Sequence, residues 1–181
     1  MSRYEIRFSG SGGQGLILAG VIFAEAATIY DRKNAVQSQS YGPEARGGAS
    51  KSEVILSDKT IDFPKATAID LQLSLTQEAC TKYYKDVKES GTLLVDEDFV
   101  TDVPQGNFKV IRLPIIRTAS EEIGKAFVAN IVALGAITAI TQQVSIDSVE
   151  KAVLSRVPKG TEDLNKKALM AGYNLAKARM S

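Results

Sequence analysis

The residues best suited to chemistry lie near the start of the chain, at Gly10-Ser11-Gly12-Gly13-Gln14-Gly15. Gly10, Gly12 and Gly15 keep the G-x-G-x-x-G spacing. Such glycines turn a backbone tightly and let a ligand approach it closely. A helix starting at the loop aims unpaired N–H groups and the positive end of its dipole at the same point. That combination suits a phosphate or a carboxylate. Ser11, Gly12, Gly13, Gln14 and Gly15 are therefore candidate ligand contacts. Two familiar nucleotide sites fit poorly. A P-loop needs Lys and Ser or Thr where Leu16-Ile17 stand. A dinucleotide site needs an acid at the end of the second strand. The strand read at Ala35 to Ser40 has none there; Asp31 precedes it and Glu44 follows a Gly-Pro turn. The same glycines also serve tight helix–strand packing without any ligand, and that alternative stays open.

A second cluster follows at Tyr41-Gly42-Pro43-Glu44-Ala45-Arg46-Gly47-Gly48. Its proline and glycines exclude a regular element. It is longer than the usual connection of about 4–6 residues. Arg46 can reach a phosphate or carboxylate with a bidentate fork; pairing with Glu44, within the chain or across an interface, is the alternative. Ligands of open α/β sheets bind beyond the carboxyl ends of the strands. Tyr41, Glu44 and Arg46 are accordingly expected near Gly12 and Gly13, facing a ligand or a partner. Asp96-Glu97-Asp98 ends another strand, as a further site or as a solvated turn.

What is missing narrows the chemistry. The chain has no histidine and one cysteine, Cys80. Imidazole acid–base catalysis, histidine metal ligation, an internal disulfide and a four-cysteine iron–sulfur site in one copy are all excluded. Neither a catalytic residue nor a metal site is assigned. The charges nearly cancel, 22 Lys and Arg against 21 Asp and Glu, with no basic block to favour nucleic acid or an anionic membrane. The most apolar run, Ala126 to Thr141, is too short to span a bilayer and carries Asn130. Met1-Ser2-Arg3 runs straight into a strand, so a soluble cytoplasmic protein is expected.

The elements that must hold these residues read as one α/β domain over residues 1–181. Tyr4 to Phe8 alternates as a strand and Leu16 to Ile29 is an apolar helix, so the glycines lie on a strand-to-helix turn. Lys51 to Leu56 is a third strand, and Thr60 to Phe63 suggests a short partner in a hairpin. Asp70 to Leu75, Thr92 to Val95 and Val110 to Leu113 are further strands. A helix is expected from Gln77 to Lys88, ended by Gly91. Thr118-Ala119-Ser120-Glu121 fits a capping box opening a helical C-terminal third, with Gly124 as a break. Ser145 to Val153 is a shorter helix. Thr161 caps the last helix, with Leu164, Ala168, Ala171 and Leu175 as its stripe.

The two motifs together, Gly10 to Gly15 and Gln39-Ser40 followed by Tyr41 to Gly48, resemble the gamma subunit of the 2-oxoacid:ferredoxin oxidoreductases over essentially the whole chain. The Tyr-Gly-Pro-Glu-Ala-Arg-Gly-Gly form is similar to the 2-oxoglutarate branch. The resemblance implies a three-layer α/β/α fold with a mixed, mostly parallel sheet. It implies a complex that oxidatively decarboxylates a 2-oxoacid, transfers the acyl group to coenzyme A and reduces ferredoxin. It further implies alpha, beta and delta-type partner subunits, which hold the thiamine diphosphate and iron–sulfur clusters. This chain would then bind no cofactor alone, with a coenzyme A contact at Ser11, Gly12, Gly13, Gln14, Gly15, Tyr41, Glu44 and Arg46, and a homodimer when isolated. A stand-alone nucleotide-binding protein of Rossmann type and a pure interaction module are the alternatives.

Overall fold

The computed structural model describes residues 3–40 and 48–181. Among these, six strands form one sheet in the order β2-β3-β1-β4-β5-β6. They are β1 (Tyr4–Ser11), β2 (Asn34–Ser40), β3 (Ala49–Ser57), β4 (Ile69–Ser74), β5 (Val87–Asp96) and β6 (Lys109–Leu113). β1, β4, β5 and β6 pair in parallel, while β3 runs antiparallel between β1 and β2. The sheet is mixed, as expected, but the hairpin responsible is β2–β3. Thr60 to Phe63 forms no strand. The Arg3 guanidinium instead takes the carbonyls of Phe63 and Lys65, which holds that segment outside the ladder.

The alternation along β1 divides the two faces. Ile6 and Phe8 enter the main core with Val54, Leu71 and Leu73. That face is covered by α1 (Leu16–Glu25), which continues into a π turn at Ala26–Tyr30, and by α4 (Ala129–Thr141), α5 (Ile146–Arg156) and α6 (Glu162–Met180). α4 lies in the middle of this layer and is buried nearly all round. Its apolar run therefore faces the chain's own core. α4 and α6 touch backbone to backbone: a Cβ on Gly135 would lie 1.9 Å from the Leu169 carbonyl oxygen, and one on Gly172 1.8 Å from that of Val132. Larger residues at either place would force the helices apart. The buried stripe of α6 is Asn165, Ala168, Leu169, Gly172 and Ala176, rotated from the expected one by this contact.

The other face carries a thinner layer, made of α2 (Gln77–Tyr83) and the segment 97–108. Cys80, Val100, Leu93 and Val95 form its small core. Three-layer α/β/α architecture is thus present with unequal layers. α2 stops earlier than expected, and residues Val87 to Asp96, Gly91 included, belong to β5. The physical cause is Arg7. Its buried guanidinium takes the Tyr83 carbonyl at 3.1 Å and the Asp86 carboxylate at 2.8 Å, ending the helix there.

A second helix start also differs. α3 (Ile115–Arg117) begins directly after Pro114 and runs on through a π turn at Thr118–Glu122, so no capping box forms at Thr118. The cap is Asp96 Oδ2, which accepts the Ile116 N–H at 2.8 Å. Gly124, at φ 81°, breaks the helix as expected. Thr161 precedes α6, but its hydroxyl donates to the Pro158 carbonyl rather than capping the helix.

Candidate functional site

The glycine loop lies at the carboxyl end of β1, where the parallel strands all end. Leu75 N donates to the Ser9 carbonyl at 3.0 Å, so the end of β4 is locked beside it. Each glycine meets a different constraint. A Cβ on Gly10 would lie 2.2 Å from Gln14 Oε1, and one on Gly15 2.5 Å from Asn130 Nδ2. These two are packing positions. Gly13 and Gly15 also hold φ of 88° and 74°, which L side chains rarely adopt. Gly12 has neither constraint: its φ is not positive, and a Cβ there would meet nothing within 4 Å among the described residues.

The loop closes on itself through Gln14, whose Oε1 accepts the Ser11 N–H at 2.8 Å. That amide is therefore already paired. α1 has no side-chain cap, and Gly15 in left-handed conformation occupies its N-cap position. Asn130, buried in α4, donates to the Gly15 carbonyl at 3.2 Å and fixes the loop to the helical layer. The N–H groups of Gly12 and Gly13 and of the first turn of α1 remain at a cavity of about 290 Å³, lined by Ser11 to Leu18 and by Ser50. Among the described residues, no lining side chain carries a charge. A bound anion would be held by backbone N–H groups and the helix end, worth roughly 0.3–1 kcal/mol and up to ~2 kcal/mol when partly buried.

The strand beside β1 at this end is β3, and it begins there with Ala49, Ser50 and Lys51. None is an acid, so the carboxylate of a dinucleotide site has no counterpart at these positions. Tyr41, Glu44 and Arg46 lie outside the described residues. Their flanks are informative: Ser40 pairs with Lys51, and Ala49 with Ser11, so both ends of the intervening segment start at the level of the glycine loop.

Asp96 is fully buried and is a structural acid. Its Oδ1 accepts the N–H groups of Asp98 and Phe99, and its Oδ2 that of Ile116. Burial raises its pKa above the ordinary carboxylate value, against the lowering by those hydrogen bonds. Glu97 and Asp98 pair with Arg117 on the surface.

Two features near the site escaped the sequence reading. Arg7 is fully buried beneath the sheet, bonded to Glu53 at 2.9 Å and 3.0 Å and stacked near the Tyr83 ring. Tyr83 in turn donates its hydroxyl to the Ala49 carbonyl at 3.2 Å, at the start of β3. The signal was an arginine between Ile6 and Phe8 in a strand with both faces buried. Asn130 was the other, a lone amide in an apolar helix. Next to the loop, an apolar groove of about 340 Å³ runs past Leu18, Phe127, Val128 and Val157. Phe127 is 70% exposed. A larger cavity of about 550 Å³ lies at the far end of α1, beside Asp31 and Ser145. There the start of α5 is already capped by Ser145 and Asp31. Among the described residues no group of His, Cys, Asp or Glu is placed to hold a metal ion, and no helix is long and apolar enough to cross a membrane.

The pyruvate ferredoxin/flavodoxin oxidoreductase family model matches residues 5–175. The 2-oxoglutarate synthase subunit KorC of Methanocaldococcus jannaschii is 58% identical, over 97% of this chain and 95% of that one. The pyruvate synthase subunit PorC of the same organism is 29% identical, over 94% and 95%. The keto/oxoacid ferredoxin oxidoreductase gamma subunit of Geobacter sulfurreducens superposes with a TM-score of 0.93 at 60% identity, over 99% of both chains. A 2-oxoglutarate:ferredoxin oxidoreductase of Magnetococcus marinus, with 2-oxoglutarate, coenzyme A and succinyl-CoA bound, shares the fold at TM-score 0.84 and 22% identity, over 98% of this chain and 32% of that one. The chain belongs to the pyruvate ferredoxin/flavodoxin oxidoreductase family and is a subunit of an oxidoreductase of that class.

Proposed function

We propose that this chain is the gamma-type subunit of a cytoplasmic 2-oxoglutarate:ferredoxin oxidoreductase and works as one domain within it. The observation that carries the substrate is the contrast between two relatives in one organism. Identity is 58% to the 2-oxoglutarate synthase subunit and 29% to the pyruvate synthase subunit. Alpha, beta and delta-type subunits complete the complex. Thiamine diphosphate and the iron–sulfur clusters sit in those partners, since one cysteine and no histidine leave this chain without the ligands for a cluster.

The part of this chain is to bind and to orient. Coenzyme A supplies the acyl acceptor when bound. Its phosphates match the N–H groups of Gly12, Gly13 and the first turn of α1, and no carboxylate lines the cavity among the described residues. Gln14 keeps the loop rigid by holding Ser11 N–H. Tyr41, Glu44 and Arg46 act from the adjoining segment, Arg46 as the fork for a phosphate or carboxylate. Gly12 supports this reading: the described residues give no reason for a glycine there, and close approach of an outside molecule would.

The test is Gly12→Val in the assembled complex. The variant should assemble, hold kcat within about twofold and raise the KM for coenzyme A about tenfold, as loss of binding without loss of chemistry does. An unchanged KM removes coenzyme A from this loop. Failure to assemble, with the isolated variant folded, would assign the loop to a partner's backbone instead.

A further inference from the structure

β6 is the last strand of the sheet, so one side of its backbone meets no strand among the described residues. The Leu113 carbonyl accepts the Glu97 N–H at 3.0 Å, on the β5 side. The ladder alternates along a strand, so Val110 and Arg112 turn their peptide groups to the free side. The Arg112 carbonyl takes a hydrogen bond from Arg179 Nη1 at 2.6 Å, in the place where a neighbouring strand's N–H would donate. A groove of about 260 Å³ runs along this edge, lined by Lys109, Val110, Ile111, Arg112, Arg179 and Met180. Its apolar floor is framed by three cations, and among the described residues no acid lines it. Arg179 lies 3.6 Å from Glu97, which also binds Arg117. Lys109 and Arg112 have no ion-pair partner among the described residues.

We propose that this edge receives an extended acidic segment of a partner subunit, which adds to the sheet as a seventh strand with its carboxylates against Lys109, Arg112 and Arg179. Main-chain hydrogen bonds along Val110 and Arg112 supply the affinity, with Arg179 releasing the Arg112 carbonyl as its guanidinium turns to a carboxylate, and the cations select the partner. A second copy of this chain is the poorer occupant. Pairing two β6 edges would bring the basic residues Lys109 and Arg112 of one copy against those of the other, for example Lys109 opposite Arg112, and like charges opposite one another in a sheet destabilise it. Basic residues on an edge also serve to keep other strands away, and the experiment separates the two roles.

The inference rests on the chain's being a subunit. The measurement is amide hydrogen exchange on the assembled complex and on the isolated chain. The amides of Val110 and Arg112 should slow about tenfold or more on assembly, while Ile111, which faces β5, is protected in both. Equal exchange at Val110 and Arg112 in an intact complex overturns the proposal and leaves the subunit reading standing. Absence of any complex would strike the subunit reading itself. The double variant Lys109→Glu, Arg112→Glu should fold as the parent does and lose about tenfold or more in affinity for its partners. Unchanged affinity overturns the acidic assignment.

Discussion

Gly12 and Gly15 stand three positions apart in one loop and answer to different forces. Gly15 is held by its own chain: it sits at φ 74° with Asn130 Nδ2 where a Cβ would go. Gly15→Ala should therefore destabilise the isolated chain by about 1–3 kcal/mol, the usual cost of a strained backbone position. Gly12→Ala should stay within about ±0.5 kcal/mol, as surface changes do. Urea unfolding of both variants checks the contrast, and an equal loss in the two would show that Gly12 is structural as well. Arg7 answers to a third force. It is 1% exposed and neutralises Glu53, itself 8% exposed. Removing one member of a buried pair costs up to about 3–5 kcal/mol when the other is left charged, and here Lys51, 3.3 Å from Glu53 Oε1, retains part of the compensation. Arg7→Met should lose part of that, and Arg7→Met with Glu53→Leu should recover most of the loss. A double-mutant cycle in denaturant measures the coupling; purely additive losses would contradict the pairing.

At the level of elements, α5 is fastened to the end of α1 by Asp31. Burial alone would raise the Asp31 pKa, but hydrogen bonds from Ser148 Oγ, Ser145 N and Ser145 Oγ bring it below the ordinary value. A carboxyl with a depressed folded pKa stabilises the fold above its unfolded pKa of about 3.9 and loses that contribution as the pH falls through the folded one. Stability should thus drop on acidification below about pH 4, and Asp31→Asn should flatten that part of the profile. A variant profile parallel to the parent's would contradict the role. The elements also divide by how far away their causes lie. The strand–glycine–helix unit, the helix break at Gly124 and the six strands that form were legible because each depends on neighbours in sequence, whereas the strand expected at Thr60 to Phe63 does not form. The end of α2 and the start of α3 were not. Arg7 stops α2 from 76 residues away, and Asp96 opens α3 from 20 residues before it. The Thr118 capping box failed for the same reason, since the chain was already helical when it reached Thr118. Asp96 read as site or solvent because its three N–H partners are invisible until β5, α3 and the turn meet.

As a whole molecule the chain is a thick helical layer, a mixed sheet and a thin outer layer. The glycine loop stands where the parallel strands end. The glycine motif was legible, and so was its companion at Tyr41 to Gly48 as a family signature, although Tyr41, Glu44 and Arg46 lie outside the described residues. The 2-oxoglutarate reading came from that resemblance and from no residue chemistry, since the side chains that line the loop cavity among the described residues are uncharged. The most direct measurement is therefore on the intact complex, purified from its native source through a tag on this chain and assayed for coenzyme A-dependent ferredoxin reduction. Partner subunits carrying thiamine diphosphate and iron–sulfur clusters should co-purify, and kcat/KM for 2-oxoglutarate should exceed that for pyruvate by about tenfold or more, a transition-state preference of roughly 1.4 kcal/mol. A preference for pyruvate, or a chain that returns alone, would contradict the account.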